Sequence, residues 1–426
     1  MQSAAHRLSP ERVAAVLPSR SIPRVVAPAV WVEIGYYAIT LYPIFGVAWG
    51  IAVPMAGAAL MALLAGLCFL SLGRSTGPVL RALLAPLLCA STFLFIQIMF
   101  HGDSVVGELP RAFYTWVFSM VVAQTLVLRQ GFLHRFAVFA FVVLLILLPY
   151  VRWVPSVNGA YQAALDRRIS IANSNDFAAW AGFCCLYFVI LGLETKYLAL
   201  RAVSWVGAAG CILVVGLTLS RGTLLAVAIG GIVALRRILK RGFLPVLSLF
   251  VGLWMLYAVG FLDSMLEGYA ARGTVETGRL LVWPLVLERF LDAPFIGYGA
   301  SNSGTWVAQQ GMALTPHNSI LFFAVSAGIV PTFFYLLTWW RAARISLAVR
   351  AELLATDQPF RLPLLAYCFL VTIAADTAFM SAWAIVTLAF IMLPMPNPTL
   401  RSAARVGRVA SRAVQYRPRR TAVRQR

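Results

Sequence analysis

The chain has 426 residues, of which 61% are hydrophobic and only 12% charged, and its mean hydropathy is +0.83. A water-soluble domain needs more polar surface than this, so the composition excludes an ordinary soluble enzyme and points to lipid. The formal net charge of +20 does not argue for nucleic acid, because the basic residues sit between apolar runs rather than on one folded polar face.

A hydrocarbon core about 30 Å thick takes roughly 20 apolar residues per helix, so this length holds ten to twelve spans and little else. Residues 1–24 carry Arg7, Arg12, Arg20 and Arg24 with no short apolar core ending in a cleavage site, which predicts an uncleaved cytoplasmic tail. Apolar runs then predict an all-α polytopic membrane protein, with a transmembrane domain over 25–396 and about twelve helices. These lie near 25–45, 49–71, 78–100, 112–128, 132–150, 176–193, 198–219, 222–239, 243–262, 317–340, 361–377 and 380–396. Two connections exceed turn length, 151–175 and the large loop 263–316, and loops of that size usually carry function. The larger one contains an amphipathic helix over 279–290, is broken at Ala293-Pro294 and continues through Gly297-Tyr298-Gly299. Residues 397–426 form a basic cytoplasmic tail that anchors on anionic lipid.

Charge tests this count. With the N-terminus inside, 27 of the 35 Lys and Arg residues fall in the tails and alternate connections, and 8 in the opposite ones. The positive-inside rule then predicts an even number of spans, both termini cytoplasmic and the two long loops outside. The six cysteines, Cys68, Cys89, Cys184, Cys185, Cys211 and Cys368, lie in apolar segments without metal-ligand or disulfide-framework spacing.

Few residues carry chemistry. His6 lies in the N-terminal tail and His134 near a cytoplasmic helix start, whereas His101 and His317 face outward. In Thr315-Pro316-His317-Asn318-Ser319, Thr315 suits an N-cap and Pro316 the first helical position, which places His317 in the first turn of a span. Partial positive charge there disfavours imidazolium, so the ring is able to accept a proton; a purely structural histidine is the competing reading. Arg221, in Ser220-Arg221-Gly222, breaks the charge trend at the outer end of two abutting spans. It either snorkels to headgroups or forks a phosphate bidentately, with Gly222 admitting close backbone approach. Arg279 follows Gly278 at the head of the amphipathic segment, as a cap or surface residue or as a further cation of a site. Arg152, Arg167 and Arg168 add outer positive charge, near a capping sequence Asn173-Ser174-Asn175-Asp176. No G-x-x-x-x-G-K-S/T loop is present, nor an outer pair of carboxylates with a His cluster, nor a Ser-His-Asp grouping, so neither ATP nor a metal nor another cofactor is expected.

Ser220-Arg221-Gly222 at a span boundary, the loop with Gly278-Arg279 and Trp283, then Pro294, Gly297-Tyr298-Gly299 and Pro316-His317-Asn318-Ser319, in that order, resemble the O-antigen ligase superfamily. The resemblance is close over about 173–328. It implies a GT-C-like integral membrane glycosyltransferase of the bacterial inner membrane, working on the periplasmic face. Its partners would be undecaprenyl-diphosphate-linked O-antigen, lipid A-core oligosaccharide and membrane lipids. By the same resemblance Arg221 and Arg279 bind the diphosphate and His317 is the general base, with Arg152, Arg167, Arg168 and Asn318 as further substrate contacts. Within the superfamily an O-antigen polymerase or an O-linked protein oligosaccharyltransferase is the alternative. A polytopic lipid or glycan transporter is the reading from another class, against which stands the clustering of unusual charges at one face without paired halves.

Overall fold

The computed structural model describes residues 29–51, 55–72, 76–102, 108–129, 131–155, 161–171, 173–239, 266–267, 270, 279–307, 312–348, 358–374 and 381–392. The expected tails, 1–24 and 397–426, and the expected helix 243–262 lie outside the described residues.

Every other expected apolar run falls on a helix, because helices satisfy all backbone polar groups within the segment. In chain order these are α1 Val30–Phe45, α2 Ala56–Leu72, α3 Thr76–Phe100, α4 Glu108–Leu126, α5 Phe132–Leu147, α6 Ser174–Glu194, α7 Leu198–Leu217 and α8 Arg221–Leu239. After them come α9 Arg279–Asp292, α10 Ser319–Ala327, α11 Ile329–Ala348, α12 Gln358–Ala374 and α13 Ala382–Ile391. Among the described residues four helical stretches are long and apolar enough to cross a membrane: Val79–Phe100, Phe132–Tyr150, Ser174–Glu194 and Leu198–Leu217. Shorter apolar helices occupy Val30–Phe45, Ala56–Ser71, Pro359–Ala374 and Ala382–Ile391. The chain is thus a mostly helical membrane protein, and the described residues do not establish a dozen spans.

The core centres on α6, which is buried along almost its whole length, whereas α7 is mostly exposed. Small residues bring its neighbours close. A Cβ on Gly182 would meet the Tyr367 hydroxyl, Thr223 and Val227, and one on Gly230 would meet Leu186 and the Pro363 carbonyl. α8 and α12 therefore run antiparallel beside α6. At one end of the bundle Glu33, 4% exposed, accepts from Arg129 Nη1 at 2.7 Å, from Arg135 Nε at 2.7 Å and Nη2 at 3.0 Å, and from the Tyr37 hydroxyl at 2.7 Å. A buried carboxylate needs such pairing, and here it ties α1 to the α4–α5 turn.

The connection 151–175 contains an antiparallel hairpin of β1 Val151–Pro155 and β2 Tyr161–Leu165, with Arg152 opposite Ala164. Sequence reading gave no strand here. A second small hairpin, β3 Thr305–Val307 with β4 Met312–Leu314, precedes α10.

The expected single helix 317–340 is corrected. It is two helices folded against each other at Gly328, whose φ is +78°. The rings of Phe323 and Tyr335 lie 4.7 Å apart, although 12 residues along a continuous helix would separate them by about 18 Å. α11 runs antiparallel to α3, with Arg341 Nη2 on the Arg81 carbonyl at 2.7 Å. α10 runs the other way: Phe322 and Phe323 meet Phe93, and the Ser326 carbonyl accepts from Gln97 Nε2 at 2.9 Å. The start of α10 therefore points into the bundle.

Candidate functional site

Three features meet around the start of α10. The first is its cap. Asn318, not Thr315, is the N-cap: its Oδ1 accepts from Ile320 N at 2.9 Å and Leu321 N at 3.2 Å. His317 consequently precedes the helix instead of occupying its first turn. Its φ of +44° puts a non-glycine residue in the left-handed region, at a local cost of about 1 kcal/mol or more. Thr315 Oγ1 lies 3.3 Å from His317 Nε2. Pro316, Asn318 and Ser319 are buried and His317 half-buried. The sequence points to Thr315 as the cap; Asn318 takes that role because its side chain reaches two helical N–H groups.

The second feature is the strap that fixes α10. Tyr298 N and Gly299 N donate to the Val325 and Ser326 carbonyls at 2.8 and 3.0 Å, and Ile329 N donates to the Pro294 carbonyl at 2.7 Å. These bonds satisfy backbone groups that the break at Gly328 removes from the helix. Gln97 bridges both partners, since its Oε1 also accepts from Ala300 N at 2.9 Å. His101 Nε2 sits 2.9 Å from the Ile296 carbonyl, which gives this histidine a strap role. Gln97 escaped notice in the sequence, although a lone amide within an apolar run was its signal.

The third feature is α9, the amphipathic helix expected over 279–290. Val282 and Val286 pack on Val325 of α10, and Trp283 Nε1 donates to the Pro316 carbonyl at 2.9 Å. Arg279 opens α9 one turn before Trp283. Farther along, Arg289 donates to the Gly304 and Asn302 carbonyls and lies 4.4 Å over the Tyr298 ring, which holds the β3 hairpin to the strap.

Arg221 is the first residue of α8 and is half-buried. The turn before it is built from Leu219, at φ +52°, and from buried Ser220, whose Oγ donates to Asn175 Oδ1 at 2.9 Å and to Thr223 Oγ1 at 3.1 Å. Asn175 belongs to the first turn of α6, whose cap Asn173 accepts from Asn175 N at 3.0 Å. The sequence motif at 173–176 thus proves to be a brace for the Arg221 turn. Gly230 lies against Pro363, while Thr223, Val227 and Tyr367 meet around Gly182. Continuing that antiparallel register brings Arg221 near the level of Thr372 on α12. The Tyr335 hydroxyl lies beside the side chains of Thr372 and Ser319, so the start of α10 reaches the same level. The N-termini of α8 and α10 thus fall at one level of the bundle, and such ends favour anions.

Arg152, Arg167 and Arg168 form a separate group. Arg168 binds Asp166 through its side chain at 3.2 Å and its backbone N–H at 3.0 Å, and Arg152 lies 3.7 Å from the same carboxylate. These bonds hold the Asp166 carboxyl down to about 2. Arg167 is exposed. Among the described residues the partners of Arg152 and Arg168 lie within their own connection, and Asn318 is engaged as the cap.

Comparison with curated proteins returns no match. A family model described as O-antigen ligase matches residues 206–336, a stretch from α7 through the Arg221 turn, the head of α9 and the His317 segment into α11. That family implies glycosyl transfer of ligase or polymerase type, with polysaccharide and lipid A-core as substrates in general. The match supports membership of this chain in the O-antigen ligase family.

Proposed function

We propose that the chain transfers O-antigen polysaccharide from undecaprenyl diphosphate to a sugar hydroxyl of lipid A-core oligosaccharide, on the periplasmic face of the bacterial inner membrane. What supports this reading is the strained His317 before α10, whose start lies beside Tyr335 and Thr372, together with Arg221 at the head of α8. Backbone strain held beside a histidine is a mark of a functional position.

In the proposed reaction the acceptor hydroxyl oxygen attacks the anomeric carbon of the donor sugar. The bond from that carbon to the diphosphate oxygen breaks, and its electron pair leaves with undecaprenyl diphosphate. His317 takes the hydroxyl proton as general base. Arg221 and Arg279, aided by the N-terminal N–H groups of α8, stabilise the charge growing on the diphosphate, without a metal. Direct displacement inverts the anomeric centre. Both substrates are amphiphiles, so the site opens sideways to lipid. α9 supplies one wall of that opening, with Leu287 and Leu291 exposed on the side away from α10.

The test uses purified protein with undecaprenyl-diphosphate-linked glycan and, in separate reactions, lipid A-core, a second lipid-linked glycan or an acceptor protein, all in excess chelator. Modified lipid A-core is the expected product. Elongation of the lipid-linked glycan alone would make the chain a polymerase, modification of protein alone an oligosaccharyltransferase, and turnover that needs added Mg²⁺ would sink the metal-free step.

A further inference from the structure

A second polar recess lies at the other end of the bundle. Arg236 stands 15 residues along α8 from Arg221, about 22 Å away by helical rise. Here a cavity of about 70 Å³ opens between α6, α8, α11 and α12, lined by Glu194, Arg236, Ser346, Arg361 and Leu362. Arg361 is 8% exposed; its Nη1 donates to the Ile391 carbonyl at 3.2 Å, and its guanidinium lies 4.9 Å from the Phe390 ring centre. Ser346 is 7% exposed, and its Oγ has no hydrogen-bond partner among the described residues. Buried hydroxyls are normally paired, so this one points to a missing acceptor or donor.

An apolar groove adjoins the cavity. Leu362 lines both, and beyond it the groove follows α11 and α12 past Ala343, Trp339 and Ala366 to Leu336 and Phe369. Seven residues on each helix correspond to about 10 Å of groove. Its direction, from the helix ends toward their middles, is the direction an acyl chain takes from a headgroup into the bilayer. The charges fit the head: two guanidiniums against the Glu194 carboxylate leave one positive charge, the complement of a phosphodiester.

We propose that the recess and groove hold one phospholipid, with its phosphate beside Arg361, Arg236 and the Ser346 hydroxyl, and one acyl chain between α11 and α12. The inference is independent of the glycosyl-transfer reading. It is tested by native mass spectrometry of the full chain in detergent, supplied with phosphatidylglycerol, with diacylglycerol of the same acyl chains, or with inorganic phosphate. One phosphatidylglycerol retained per chain is expected, with retention lowered about tenfold by Arg236→Gln, which removes a charge-assisted bond. Ala366→Trp, which fills the groove, is expected to lower retention as well, and circular dichroism reports whether each variant is folded. Equal retention of diacylglycerol would overturn the phosphate contact. Unchanged retention in both folded variants would overturn the site. Inorganic phosphate bound equally by wild type and Ala366→Trp, with no lipid retained, would make a free anion the ligand and remove the lipid.

Discussion

The two ends of the helix bundle use charge differently. At the α1 end Glu33 is clamped by two arginines and a tyrosine, and none of these four residues adopts an unusual backbone. At the other end Arg221 and His317 stand at helix starts, and of the three described non-glycine residues with positive φ, two are Leu219 and His317. A charge neutralised inside the protein holds helices together. In the proposed reaction the cation set at a helix N-terminus, on a turn that stores strain, receives an anion brought from outside.

The largest effect that would sharpen this contrast is in His317→Ala, where transfer is expected to disappear while the protein stays folded, as measured by glycan transfer beside circular dichroism. Retained turnover would falsify the base assignment. Arg221→Lys keeps the charge and loses the fork, and is expected to lower the transfer rate about a hundredfold, as loss of a preorganised donor does. A near-normal rate would return Arg221 to an interfacial role. Gly328→Ala comes next. Its Cβ would collide with the Pro294 and Phe295 carbonyls at a φ of +78°, so we expect a loss of at least about 2 kcal/mol together with most activity. A wild-type melting temperature would break the hairpin description.

At the clamp the pattern should reverse. Glu33→Gln leaves two guanidiniums without their carboxylate. The Arg135 side chain is 43% exposed, so the expected cost is about 2 kcal/mol, below the roughly 3–5 of a fully buried pair. Transfer per folded molecule should not change, and a specific loss of turnover would erase the contrast between the ends. The smallest effect concerns Asp166. Its depressed folded pKa, about 2, means that its contribution is present above the unfolded value of about 3.9 and is lost as pH falls through the folded one. The melting temperature of wild type should therefore exceed that of Asp166→Asn by a small constant margin from neutral pH down to about 5, and the margin should vanish between about 4 and 2. A margin unchanged at pH 2 would remove the ion pairs as its source.

Much of the helical architecture was legible from hydropathy, and the amphipathic segment was legible from its periodicity: 279–290 was expected and α9 runs Arg279–Asp292. The Gly328 hairpin was not legible. Residues 317–340 read as one apolar stretch, and the break is stabilised by bonds from Tyr298, Gly299 and Ile329 that local sequence does not specify. The same holds for Glu33, whose arginines lie 96 and 102 residues away. At the site, residue types were readable and their settings were not. Arg221 and His317 stood out by composition and position, but the left-handed turns before both helices depend on partners such as Asn175 and Trp283 that come from other helices.

The folded-back α10 also bears on how such a chain is counted. A half-helix that dips into the bundle and returns to the end it came from adds a helix without adding a crossing. The parity of crossings is the same whether 317–348 is one helix or two, so the distribution of basic residues is insensitive to it. A hydropathy profile is equally insensitive, because apolar residues fill both arms. Re-entrant segments of this kind are therefore hidden from both common ways of reading membrane topology, and a glycine held at positive φ between two short apolar helices becomes the sign to look for.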